Sequence, residues 1–255
     1  MPSSVDVNVV HHAPIDDLLH SSSKFAFLSN SDIHWSKKNL WQIRSLSSII
    51  RNIDVYFLQI MFIGKTGYGK STTLNKICGK ELFITDDINS CTKSIFSALY
   101  KMYRVNKYPF TSEDYYLSLC DLPGIGESQD TNNIYMKLYS KMIKKSACVV
   151  YILRADQRDF SLDKIVINSL LTKHKKLSEK LIIGINFADK IEPITRSSPF
   201  TPNSKQAVNL ENKVLLTASS LNIQPNRIVS YSATEGYNFD ELLGKICMIL
   251  KQCVK

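Results

Sequence analysis

Apolar and polar positions change period repeatedly along this chain, and the changes mark out its elements. Val55-Tyr56-Phe57-Leu58-Gln59-Ile60-Met61-Phe62-Ile63 is a nearly unbroken apolar run of strand length, the pattern of a strand buried on both faces. After a short glycine-rich stretch, Thr73-Leu74-Asn75-Lys76-Ile77-Cys78 reads as helix, stopped at Gly79. Strand-like and helix-like patterns then alternate. Strands are expected at Ile95 to Arg104, Tyr115 to Cys120, Ala147 to Leu153, Leu181 to Asn186 and Ile228 to Ser230. Helices are expected at Ile134 to Lys145, Ile165 to His174, Ser204 to Leu221 and Phe239 to Cys253.

Such alternation implies an α/β fold, a mostly parallel sheet with helices on both faces in three α/β/α layers. Ile95–Arg104 and Tyr115–Cys120 are joined around Asn106-Lys107-Tyr108-Pro109 by too few residues for a crossover helix. They should form an antiparallel hairpin, giving the sheet one antiparallel edge strand. Ahead of all this, residues up to about Ser31 show no clear period and read as a loosely structured arm. Trp35, Leu40, Ile43, Leu46, Ile50 and Ile53 recur mostly at three- and four-residue steps, which predicts an amphipathic helix. Two parts are thus expected: an arm and helix over 1–53, and the main domain over 54–255. Thr195 to Pro202 reads as a surface loop.

Composition narrows the class. With 255 residues and 44% hydrophobic content, the chain has the material for one large core. No apolar stretch reaches the roughly 18–20 residues of a spanning helix, and Asp6, Asp16 and Asp17 break any signal-peptide layout. A cytoplasmic protein is expected. The six cysteines form no C-x-x-C pair and sit in apolar patterns, as reduced core residues do. The net charge is +9, with an excess of lysine between Lys137 and Lys180. That run reads first as a solvated face and second as a surface for an acidic partner such as RNA.

The chemistry begins at Gly64-Lys65-Thr66-Gly67-Tyr68-Gly69-Lys70-Ser71-Thr72, which matches G-x-x-x-x-G-K-[ST] between a strand and a helix. Its glycines let backbone N–H groups curl around phosphate oxygens, Lys70 neutralises the β and γ phosphates, and the Ser71 hydroxyl suits Mg²⁺. A nucleoside triphosphate is implied. Asp121-Leu122-Pro123-Gly124 follows another strand, where a Mg²⁺-associated carboxylate and a glycine N–H for the γ-phosphate belong. Thr92, in the polar segment Asp86 to Thr92, can offer a hydroxyl to the metal and an N–H to the γ-phosphate. Asn186-Phe187-Ala188-Asp189 ends a further strand, and an aspartate there can accept from N1 and N2 of guanine, which adenine cannot match. Ala233, in Ser230-Tyr231-Ser232-Ala233, can donate its N–H to guanine O6.

In this order the blocks resemble the Era-like branch of the TrmE–Era–EngA–YihA–septin class of GTPases, and within it the single-domain YfjP/YeeP type. The resemblance covers Ile60 to about Leu250. It implies a Ras-like P-loop fold of six strands and a molecular switch that hydrolyses GTP to GDP and phosphate with Mg²⁺. Lys70, Thr92 and Gly124 would act on the γ-phosphate, and Ser71, Thr92 and Asp121 would serve the metal. Nucleotide contacts would come from Lys65 through Thr72, from Asp121 and Gly124, and from Asn186, Phe187, Asp189, Lys190, Ser232 and Ala233. Relatives also suggest ribosome or RNA association, here through the basic helices, and an alternative role as a GTP-dependent homodimer with little hydrolysis. A nucleotide kinase shares the loop but would need an arginine-rich lid and no Asn186 or Asp189.

Three positions depart from the family. Phe187 stands where many relatives carry a lysine whose stem covers the guanine, and a ring there can cover the base by stacking. Ile125 stands where many Ras-like members place a water-orienting glutamine, so slow intrinsic hydrolysis is expected, with Glu127, Ser128 and Gln129, or a residue from a partner, as candidates to align the water. Gly67 replaces an asparagine that binds K⁺ in some relatives, so K⁺ activation is not expected.

Overall fold

A computed structural model describes residues 7–37, 40–45, 52–85, 94–107, 111–194 and 197–254. Among these residues eight strands form one sheet: β1 (Val7–Pro14), β2 (Trp41–Ser45), β3 (Asn52–Gly64), β4 (Ile95–Lys107), β5 (Thr111–Asp121), β6 (Cys148–Arg154), β7 (Leu181–Asn186) and β8 (Ile228–Ser230). Their order is β1-β4-β5-β3-β6-β7-β8, with β2 alongside β3. Helices α1 (Ile15–Leu19), α2 (Lys70–Cys78), α3 (Gln129–Ile143), α4 (Ser161–Lys173), α5 (Leu177–Lys180), α6 (Ser204–Leu221) and α7 (Phe239–Lys251) connect them. The apolar runs of β6 and β7 are buried along nearly their whole length, as strands with helices on both faces must be.

The hairpin is present: β4 runs antiparallel to β5 from Phe96 opposite Asp121 to Lys107 opposite Thr111. All other neighbours on the main path pair in parallel. The expected six strands become eight, and β4 is not the edge, because β1 pairs parallel to its outer side.

Both differences come from the N-terminal residues. From Val7 onward the expected loose arm is instead ordered: β1 covers the free edge of β4, and α1 with a 3-10 turn at Ser23–Ser29 folds back over the sheet. Leu18, Phe25 and Leu28 are fully buried. At about 1.5–3 kcal/mol for each such side chain, these contacts outweigh the absence of any sequence period. The expected helix over Trp35 to Ile53 is also overturned, since Trp41–Ser45 is a strand antiparallel to Ile53–Phe57. The physical reason lies in β3, whose partner β6 begins pairing only at Ile60. The first half of β3 would otherwise show an unpaired edge, and Trp41-Gln42-Ile43-Arg44-Ser45 alternates at the strand period of two. The expected boundary at 53 and 54 therefore runs through β3, and 7–45 supplies two strands of the same sheet. Trp35 bridges to Val254, and the Ser36 N–H donates to the Cys253 carbonyl at 2.7 Å, closing the N-terminal segment onto the end of α7.

The five described cysteines are buried and form no disulfide among the described residues, while Cys91 lies outside the described residues. Among the described residues no helix is long and apolar enough to cross a membrane.

Candidate functional site

Parallel register carries the important residues to one edge. Phe62 of β3 faces Asp121 of β5, Gly64 faces Ile152 of β6, Arg154 faces Asn186 of β7, and Ile185 faces Ser230 of β8. The carboxyl ends of these strands thus deliver the phosphate loop, the D-x-x-G segment, the Asn186 loop and the Ser232 loop side by side, where open α/β sheets bind ligands.

The phosphate loop runs from Gly64 into α2, whose N-cap is Gly69 in the left-handed region with no capping side chain. The first amides of the helix are left for an anion. Lys70 is almost fully buried and donates to the Lys65 carbonyl at 3.0 Å and the Gly64 carbonyl at 3.5 Å, which folds its ammonium back over the loop. Burial pulls its pKa below the usual lysine range, opposed by the charges of Asp121 and Glu127. The Ser71 hydroxyl donates to Asp121 Oδ2 at 2.6 Å, and Asp121 is buried. A hydroxyl and a carboxylate, both hard oxygen donors, fit Mg²⁺, which needs few protein ligands. No cluster of three His, Cys, Asp or Glu exists among the described residues.

Two loop side chains turn away from the phosphate position. Lys65 Nζ lies 3.1 Å from Asp163 Oδ2, and the Tyr68 hydroxyl donates to Gln157 and, at 3.4 Å, to Asp163. Tyr151 of β6 donates to the other Asp163 oxygen at 2.8 Å. Asp163 is fully buried; burial raises its pKa, and the bonds from Tyr151 and Lys65 oppose that rise. Lys65 and Tyr68 therefore anchor the loop to α4, and only their backbone remains for phosphate. The Thr66 hydroxyl is buried with no hydrogen-bond partner among the described residues. Thr72 is half-buried in the first turn of α2.

The D-x-x-G segment lies directly on this loop. Ile125 donates to the Gly64 carbonyl at 3.2 Å and accepts from the Thr66 N–H at 3.1 Å. Gly124 must be glycine, because a Cβ would stand 2.5 Å from Thr66 N and 2.6 Å from its hydroxyl. Ile125 is fully buried, so its side chain is a packing element. Ser128 is spent as the N-cap of α3, accepting from the Thr131 N–H at 3.1 Å, and Gln129 opens that helix. Glu127 is exposed and lies close enough to raise the pKa of Lys70. Thr92 lies outside the described residues.

Asn186 ties three loops together: its Nδ2 donates to the Tyr68 carbonyl at 3.2 Å, and its Oδ1 accepts from the Ala233 N–H at 3.0 Å. In this structure, then, the Ala233 N–H is directed at Asn186, not held open for guanine O6. The Ser232 hydroxyl accepts from the Glu235 N–H at 3.1 Å and shapes its own turn. Asp189 is 9% exposed; Oδ2 pairs with Lys190 at 3.1 Å, and Oδ1 is buried with no hydrogen-bond partner among the described residues.

Phe187 takes a left-handed φ of 61°. Its ring lies 4.1 Å below the guanidinium of Arg154. Arg154, Tyr151, Gln157 and Asp163 were not among the residues that the sequence motifs single out. Arg154 carried a faint signal, a charge closing the apolar run Cys148 to Leu153. Asp163 carried none, since acidic residues are ordinary in a helix's first turn.

Comparison with known proteins agrees with this geometry. Residues 59–186 match the family described as 50S ribosome-binding GTPase. The uncharacterized protein YkfA of Escherichia coli (strain K12) is 26% identical over 176 residues, 69% of this chain and 56% of YkfA. The uncharacterized YfjP of the same strain is 24% identical over 177 residues, 69% of this chain and 57% of YfjP. The chain thus spans just over half the length of these curated relatives. Among solved structures, Era in complex with MgGDPNP and nucleotides 1506–1542 of 16S ribosomal RNA superposes with a TM-score of 0.53 at 21% identity. That match covers 78% of this chain and 57% of the Era chain, and shows the fold. The chain belongs to the 50S ribosome-binding GTPase family, as an Era-like P-loop GTPase.

Proposed function

We propose that the protein binds GTP and GDP at this site with Mg²⁺, hydrolyses GTP slowly, and reports the bound state through the loops around Thr92 and Gly124. The observation that carries the base assignment is Asp189 Oδ1, a buried carboxylate oxygen with no partner among the described residues beside an asparagine already fixed by two loops. Burying such an acceptor unpaired costs about 1–3 kcal/mol or more, and the N1 and N2 hydrogens of guanine would recover it.

Lys70, held by two loop carbonyls, is placed to meet phosphate charge without reorganising. Ser71 and Asp121 would hold Mg²⁺, which when bound neutralises phosphate charge and orients the oxygens. Ile125 has neither proton nor lone pair for an attacking water and is sealed in the core. This favours slow turnover, with Glu127 or a residue from a partner left to align the water.

The Era structure contains a magnesium-bound GTP analogue and ribosomal RNA. An RNA or ribosomal partner for this chain is proposed by that likeness and by the exposed lysines near the ends of α3 and α4. The direct test is to identify the nucleotide retained after purification and to titrate GDP, GTP, ADP and ATP with and without Mg²⁺. Guanine nucleotides should bind at least a hundredfold tighter; equal affinity for ATP would overturn the assignment.

A further inference from the structure

Arg154 closes β6 directly across the ladder from Asn186, and its side chain contacts two different loops. Nη1 donates to the Gly67 carbonyl of the phosphate loop at 3.3 Å. The guanidinium carbon lies over the Phe187 ring in the base loop, 4.1 Å from its centroid. Nε and Nη2 grip Asp156 at 2.9 and 2.7 Å, which fixes the plane of the group. An exposed arginine–aspartate pair alone contributes little. Here the pair forms the base of a stack whose other contacts go to two loops that meet at the nucleotide site. Phe187 holds a left-handed backbone that costs an aromatic residue free energy, and the ring so presented is the one Arg154 covers.

We propose that Arg154 is a positioning residue of the nucleotide site. The Asp156–Arg154–Phe187 stack clamps the phosphate loop to the base loop and fixes the ring as a wall of the purine pocket. The inference rests on the guanine-nucleotide reading above. A cation that reaches the Gly67 carbonyl from β6 does the work that a lysine at position 187 could do from the base loop itself. The clamp touches the loops and makes no contact with the hydrogen-bonding edge of the base. It should therefore govern how long nucleotide stays, not which base is chosen.

The test measures affinity and dissociation rate for GDP and a non-hydrolysable GTP analogue, beside the thermal midpoint of the nucleotide-free protein. Arg154→Ala should weaken both ligands roughly tenfold, through faster release, with the preference for guanine over adenine unchanged. Arg154→Lys keeps charge and stem but loses the plane and the fork on Asp156, and should weaken binding by about threefold. The decisive variant is Arg154→Ala with Phe187→Lys, which should recover most of the missing affinity. A purely structural role for Arg154 predicts no such rescue. Arg154→Ala binding GDP within twofold of the parent, or the double variant binding no better than Arg154→Ala, would overturn the proposal. Asn186→Ala separates the two readings. If it abolishes binding while Arg154→Ala leaves it intact, only the clamp fails. If the parent binds no guanine nucleotide, the base assignment fails and the clamp with it.

Discussion

At the scale of single residues, the site holds two buried polar atoms without a hydrogen-bond partner among the described residues, Asp189 Oδ1 and the Thr66 hydroxyl, and one apolar group that cannot help, Ile125. Asp189 Oδ1 is the clearest. Replacing the carboxylate with an amide turns one acceptor into a donor, which clashes with the 2-amino group of guanine and suits the 2-carbonyl of xanthine. Asp189→Asn should therefore lower GDP affinity by about a hundredfold or more and raise that for xanthosine diphosphate, as read by competition titration. If guanine still binds as before, Asp189 does not face the base. Ile125 gives the opposite lesson. Substituting the glutamine of many Ras-like GTPases looks like a repair, yet the Ile125 side chain is fully buried. Ile125→Gln should leave single-turnover hydrolysis no faster and lower stability by about 1–3 kcal/mol, seen as a reduced thermal midpoint, because a polar amide would enter the core without partners. The phosphate loop, Asp121, Asn186 and Asp189 stand out in the sequence because they sit at fixed spacings within motifs. Asp163 and Arg154 were not, since each acts on residues remote in the chain and neither belongs to a spaced motif.

Among the elements, the deeply apolar strands and their helices appear where the hydrophobic period placed them. The misread segments were the arm before Ser31 and the stretch Trp35 to Ile53, and in the second, period alone cannot weigh the value of covering the exposed half of β3. That same end of the sheet holds a charged cluster. Glu113 of β5 is 5% exposed and accepts from Lys37 and Lys107, each at 2.6 Å, and from Tyr115 at 2.8 Å. Burial pushes its carboxyl upward, but the bonds from Lys107, Lys37 and Tyr115 outweigh burial and bring it down to about 2. A carboxylate depressed in the folded state stabilises above its unfolded pKa of 4.5 and loses that contribution as pH falls toward 2. Glu113→Gln should cost about 1–2 kcal/mol at pH 7, discounted because both lysines are half exposed, and should flatten the loss of stability between pH 4.5 and 2. Urea midpoints across that range decide it: parallel curves for parent and variant would show that the cluster does not carry the acid sensitivity.

Taken whole, the molecule separates its nucleotide edge from its basic surface. α3 ends just before β6, and α4 and α5 end just before β7, so their C-terminal lysines gather at the amino ends of two adjacent strands. The site lies at the carboxyl ends. His174 lies 3.1 Å from Ser140 and holds the ends of α4 and α3 together. Not every lysine in this run is free for a partner. Lys180 donates to the carbonyls of Ile143 and Ser146 at 2.7 and 2.6 Å, and Lys145 lies over the Trp41 ring at 4.2 Å. Lys144, Lys173, Lys175 and Lys176 are exposed and form the set to test. Changing all four to glutamine should weaken single-stranded RNA binding and lower the salt slope by about 0.7 for each phosphate no longer neutralised, up to roughly 3 for four phosphates. Because the surface lies across the sheet from the phosphate loop, GDP affinity should stay within twofold. Unchanged RNA binding would reject the surface, and a parallel loss of GDP affinity would show that the two ends are not separate. Changing Lys180 instead should cost thermal stability, since two carbonyls would be left without their ammonium donor, and should leave the salt slope untouched.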